Sequence, residues 1–228
     1  MSAEEVRELL IDELNPMAGA CAVMIAHLID APDEPPATRE DLLAMVTAAM
    51  ESGRAPIGPL EYAEEEIDYG LRTNVPVASI TTSADGQVSL RLALALSGNT
   101  CIGVGGNRYG YQPHLGGRVS PWTVLLPDVE AGLAELVVYI DERAKLMGYH
   151  GRVRATLELI SAEPVHPGTI HGDSGRVVVG EPIEAFEPLT FEYSIDMPAQ
   201  SLQSLVYEVA TQVARRFGAD EPQFLTRP

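Results

Sequence analysis

RVSPWTVLLPDVEAGLAELVVYIDERAKLMGYHGRVRATLELI, from Arg118 to Ile160, reads as strand, helix, strand. In its centre Leu133, Leu136, Val137, Ile140, Ala144 and Met147 recur at the spacing that gathers side chains on one face of a helix, so this stripe must lie on a core. Pro127-Asp128 offers a side-chain acceptor to the free N–H groups of the first turn, and Gly148 after Lys145 supplies the left-handed residue that ends a helix. On either side the period becomes two: Trp122, Val124 and Leu126 alternate before the helix, and Val153, Ala155, Leu157 and Leu159 after it.

Towards the end of the chain, Ser161 to Glu187 reads as a long loop holding Pro164, Pro167, Gly168, Gly172, Gly175 and Gly180, with a short strand at Arg176 to Val179. Phe186 to Ile195 alternates Leu189, Phe191, Tyr193 and Ile195 inward. A helix starting near Pro198 follows, with Leu202, Leu205, Val206, Val209, Val213 and Phe217 on one stripe. Arg215 and Arg216 sit in its last turn, where cations suit the dipole, and Gly218 ends it.

Towards the start, Val75 to Ala84 and Gln87 to Ser97 flank Asp85-Gly86, a pair that accepts the positive φ angles of a type I′ hairpin turn, and Thr100 to Val104 adds a third strand. The glycine-rich stretch Gly103 to Gly117 leads into a strand and not into a helix, so a phosphate cradle is disfavoured. It reads as an exposed hairpin loop whose Arg108, Tyr109 and Tyr111 offer a contact surface.

The first third of the chain reads as helical. Ala3 to Leu14 is amphipathic and ends at Asn15-Pro16. Met17 to Ile29 is apolar nearly all round, with a seam of Ala18, Ala22 and Ala26. Such a helix is either enclosed in the monomer or used for dimerisation, and Met17, Cys21, Met24, Ile25 and Leu28 are its candidate partner-binding residues. After a Pro-rich connector, Thr38 caps a helix carrying Leu42, Leu43, Val46, Ala49 and Met50. Leu60 to Arg72 reads as another helix, whose Glu61, Glu64, Glu65, Glu66 and Asp68 point in different directions and form a solvated face, not a metal site.

Charge narrows the classes of partner. The chain has 228 residues, with 33 acidic against 15 basic, a net of −18, which repels phosphate backbones and anionic membrane surfaces. Residues 1–70 hold 16 of the acids and only Arg7, Arg39 and Arg54, so a protein partner there is expected to be basic. Cys21 and Cys101 lie among apolar or small residues and suit reduced thiols. Glu4 and Glu5 stand where a signal peptide carries positive charge, and no apolar run is long enough to span a bilayer, so a cytoplasmic protein without membrane partner is expected. Lys145 is the lone lysine beside 14 arginines, an imprint of a GC-rich bacterial or phage genome.

Chemistry has one candidate place. His166, His171 and Asp173, within His166-Pro167-Gly168-Thr169-Ile170-His171-Gly172-Asp173, are residue types that bind a metal or arrange a general base. The stretch resembles the second metal motif of cupins, where a Pro/Gly turn precedes a histidine ligand, which would make a small metal-dependent enzyme. The histidine pair and carboxylate that cupins carry on an earlier strand have no counterpart on the strands from Gln87 or Arg118. The stretch is therefore read as a solvent-exposed turn, and no cofactor is expected. No Gly-X-Ser-X-Gly elbow, Cys-X-X-Cys pair or Walker loop occurs.

From Leu60 to Phe217 the order helix, three strands, helix, two strands, helix is similar to the layout of type III secretion-type chaperones and related peptide-binding folds. That resemblance implies a small acidic α+β protein that binds polypeptides and often dimerises. The expected fold is α+β: a two-layer sandwich with an antiparallel or mixed sheet of about five to six strands covered by two amphipathic helices. An acidic helical segment, residues 1–59, is expected to precede the sandwich domain, residues 60–228. The expected function is a non-enzymatic protein-binding adaptor or chaperone-like module, with a homodimer among its assemblies. An acidic antagonist that occupies a basic partner's site is the other non-enzymatic reading.

Overall fold

Cys21 to Ile29, apolar nearly all round, is a β-strand and not a helix. This emerges from a computed structural model that describes residues 3–17, 19–31, 37–52, 68–72, 75–84, 87–97, 101–108, 111–112, 117–118, 120–171 and 176–228. The element order is α1 (Ala3–Leu14), β1 (Cys21–Ile29), α2 (Arg39–Glu51), β2 (Asp68–Arg72), β3 (Val75–Ala84), β4 (Gln87–Ser97), β5 (Cys101–Arg108), β6 (Tyr111–Gln112), β7 (Gly117–Arg118), β8 (Thr123–Leu125), α3 (Leu126–Met147), β9 (Arg152–Ile160), β10 (His166–His171), β11 (Arg176–Val179), β12 (Leu189–Ser194) and α4 (Ala199–Arg216).

The fold is α+β. Seven antiparallel strands form the main sheet in the order β12-β9-β1-β5-β4-β3-β2. β1 lies inside it, paired with β5 on one side and β9 on the other. Its alternation explains its composition. Ala22, Met24, Ala26 and Leu28 face a core shared with α2, α3 and α4, while Cys21, Val23 and Ile25 face a second core shared with α1. A strand covered on both faces needs apolar residues at every position, and such a run has the same composition as a buried helix.

The larger core has the helices of the sandwich as its outer layer. Leu133, Leu136, Ile140 and Ala144 of α3 lie in this core over β1 and β5, and Val206, Val209, Ala210 and Val213 of α4 lie in it beside β12, whose Phe191 and Tyr193 belong to the same cluster. α3 stops at Gly148, whose φ of 63° lets its N–H return to the Lys145 carbonyl at 3.1 Å, while the N–H of Tyr149 returns to Ala144. α2 begins with a reciprocal cap. Thr38 Oγ1 accepts the Asp41 N–H at 3.2 Å, and the Asp41 carboxylate accepts the Thr38 N–H at 2.8 Å. Burial works against the ionised form of Asp41, but these bonds and Arg143 outweigh it and hold the carboxyl below its usual range.

On the other face α1 adds a partial third layer. Val6, Leu9, Leu10 and Leu14 pack on Cys21, Val23, Ile25, Val75, Val77 and Ala95. Arg7 ties α1 to β9 through Glu158, with Nε donating to Oε1 at 2.5 Å.

Several expectations change. β1 is hydrogen-bonded on both sides to strands that come from residues 60–228, so residues 1–59 do not pack as a separate unit. Asp68 to Arg72, expected to end a helix, is edge strand β2, and residues 53–67 lie outside the described residues. The strand-helix-strand unit is real in order but divided in space. β8 belongs to a small sheet of order β11-β10-β8, where it runs parallel to β10, while β9 belongs to the main sheet. The expected long loop after Ser161 holds two strands: β11 as anticipated, and β10, which was not. No described helix is long and apolar enough to cross a membrane.

Candidate functional site: a groove between two helices

The expected partner surface on Met17 to Ile29 is for the most part interior. Cys21, Met24, Ile25 and Leu28 are buried in the two cores, and of the five candidate residues only Met17, 75% exposed, reaches solvent. Burial pushes the Cys21 thiol up to about 12, with the nearby Glu158 carboxylate adding to the effect. The alanine seam serves packing of the strand instead: Ala22 and Ala26 lie in the core beneath the helices. Arg108 ends β5 and Tyr111 starts β6, while Tyr109 lies outside the described residues.

The histidine stretch is a strand where a turn was expected. His166 and His171 stand at the two ends of β10, and their odd separation places them on opposite faces of the small sheet. Asp173 lies outside the described residues. Gly168 is there for packing, since a Cβ would come within 2.6 Å of Leu125 Cδ2 on β8. Among the described residues no three His, Cys, Asp or Glu side chains gather as a metal site. The two histidines are not brought together, so the cupin-like reading loses its geometry.

What the fold does build is a groove of about 540 Å³ between α3, α4 and the segment after α4. Val137 and Val138 of α3, Leu202 and Val206 of α4, and Met197 before it give apolar walls. Asp141, Lys145, Gln203 and Tyr207 add polar groups. The groove runs where α3 and α4 lie side by side on one face of the sheet, and each contributes the flank of an amphipathic stripe to it.

The segment after α4 is held by one carboxylate. Glu130 on α3, 0% exposed, accepts the backbone N–H of Gln223 at 2.8 Å on Oε1, and those of Phe224 at 2.6 Å and Leu225 at 2.9 Å on Oε2. Burial raises its carboxyl above the usual range, and the three N–H bonds offset part of that shift. The Gln223 side chain extends the latch. Its Oε1 accepts the Ile170 N–H at 2.8 Å and its Nε2 donates to the Ile170 carbonyl at 2.8 Å. This amide stands where a further strand would add to β10, because β8 pairs only with His166 to Gly168.

One turn further along α3 lies a different acid. Glu135 is 1% exposed, and neither carboxylate oxygen has a hydrogen-bond partner among the described residues. Burial raises its carboxyl well above the usual range. None of these roles was anticipated from the sequence. The signal was available for Glu130, which interrupts the apolar flank one turn before Leu133 and two before Val137. Gln223 carries no sequence signal, since its role comes from meeting Ile170.

No protein-family model matches the chain, and no curated protein matches it.

Proposed function

We propose that the protein is a non-enzymatic protein-binding module, which docks a basic, amphipathic polypeptide segment in the α3–α4 groove. The observation that supports this is the groove itself: apolar walls from two helices, large enough for several side chains, with polar groups among its lining. Two helices that present a trough offer the geometry in which a third amphipathic helix lays its apolar side chains. The net charge of −18 favours a cationic segment and speeds its approach.

The test is a fluorescently labelled peptide with leucines at helical spacing and lysines elsewhere, compared with a scrambled peptide of the same composition. Saturable binding of the first, weakened by salt and lost in Leu202→Asp, is the expected result. Equal binding of both peptides, or binding untouched by Leu202→Asp, overturns the proposal.

A further inference from the structure

The groove is already bordered by a piece of the chain whose attachment is unusual. From Gly218, at φ 77°, the chain leaves α4 and turns back across α3. Asp220, Glu221, Gln223, Thr226, Arg227 and Pro228 are exposed and Ala219, Pro222, Phe224 and Leu225 are only half-buried, so no residue of this segment is fully enclosed. Ala219 and Leu225 are its partly buried anchors beside the main core, and Leu225, Thr226 and Pro228 form one wall of the groove. The rest of the attachment is polar and sits at two points: the Glu130 carboxylate under three successive N–H groups, and the Gln223 amide against Ile170.

Such a contact is specific in geometry and small in area. Hydrogen bonds to a charged acceptor are strong when all are made together, but a segment fastened at two points opens as a unit when either fails. The backbone donors also mean that Glu130 does not read the side chains of the strap, so another polypeptide segment can present the same N–H groups.

We propose that residues 219–228 are a releasable strap that regulates the groove, closed by the Glu130 and Gln223 latch and opened to admit the docked polypeptide. This rests on the docking reading of the groove. In the closed state the strap narrows the groove from one side. In the open state Glu130 and the outer edge of β10 at Ile170 become available, and the incoming segment gains a charged acceptor and a strand edge in addition to the apolar walls.

The experiment uses the full chain as wild type, Glu130→Gln and Gln223→Ala. The second variant changes only a strap side chain, and so remains informative if loss of the buried carboxylate harms folding. Amide hydrogen exchange at Ile170, Gln223, Phe224 and Leu225 reads the latch directly, and exchange in β1 and β9 reads the rest of the fold. Both variants are expected to exchange the strap and Ile170 amides about tenfold faster or more, with β1 and β9 unchanged. The leucine/lysine peptide is expected to bind Gln223→Ala more tightly than wild type. Strap amides that stay protected in both variants overturn the strap and leave the docking reading standing. A released strap with unchanged peptide affinity overturns the regulation. Binding of the peptide to neither form overturns the docking reading itself.

Discussion

Gly103 of β5 lies directly beneath Leu10 of α1: a Cβ on the glycine would stand 2.5 Å from Leu10 Cδ1 and 2.7 Å from Val6 Cγ1. Gly105 stands in the same relation to Leu14. These glycines, which could be mistaken for a nucleotide loop, let a helix rest on a strand at close range. Gly103→Val is therefore expected to overpack this interface and destabilise the protein by about 1–3 kcal/mol. Urea denaturation checks it, and an unchanged midpoint would mean that α1 does not seat there.

Removal of residues 1–31 takes away α1 and β1 together. Because β1 bonds to β5 and β9, its loss cuts the main sheet in two and exposes both cores. The truncated chain is expected to lose cooperative unfolding and bind a hydrophobic dye. A sharp thermal transition in the truncated chain would refute this placement of β1.

Glu135 makes stability depend on pH in a definite direction. In the unfolded chain its carboxyl ionises in the ordinary range, whereas in the folded chain burial holds it protonated to a higher pH. Above the ordinary value the folded state holds more protons, so its contribution to stability falls as pH rises, by at most about 1.4 kcal/mol per pH unit. Glu135→Gln keeps the shape and removes the titration. The difference in unfolding free energy between wild type and variant should move in favour of the variant from pH 5 to pH 8, and a constant difference would contradict the burial of Glu135.

The Cys21 thiol, raised to about 12 by burial and then by Glu158, should be inert in the native protein. At pH 8 its thiolate fraction is about 10⁻⁴, and the surrounding core blocks access as well. Iodoacetamide followed by peptide mapping should find Cys21 unmodified in buffer and fully modified in urea. Modification in buffer would place β1 nearer the surface than it lies here.

Much of the element order was legible because local rules and tertiary packing agree. α3 ends at Gly148 as its sequence demands, α4 carries its stripe and its terminal arginines, and β9 and β12 show the strand period. β1 was misread because an element covered on both faces loses the polar residues that mark its period. β10 was misread because His-Pro-Gly has the composition of a turn, while its pairing partners β8 and β11 are distant in sequence or short. The groove was illegible for a related reason: its walls come from helices that are separately unremarkable amphipathic elements.

What the sequence determined by itself is local: where α3 stops and where α4 starts and stops, which faces they bury, the strand period of β9 and β12, and the acidic field that disfavours phosphate and attracts cations. Tertiary structure alone decided that β1 occupies the middle of the sheet, that Gly103 and Gly105 seat α1, that His166 and His171 face apart, and that Glu130 and Gln223 fasten the strap beside a groove. Periodicity reports which side of an element is apolar and is silent on what that side meets. Each of these arrangements depends on residues far apart in the chain arriving at one place, through contacts whose energy is gained only after the sheet has formed.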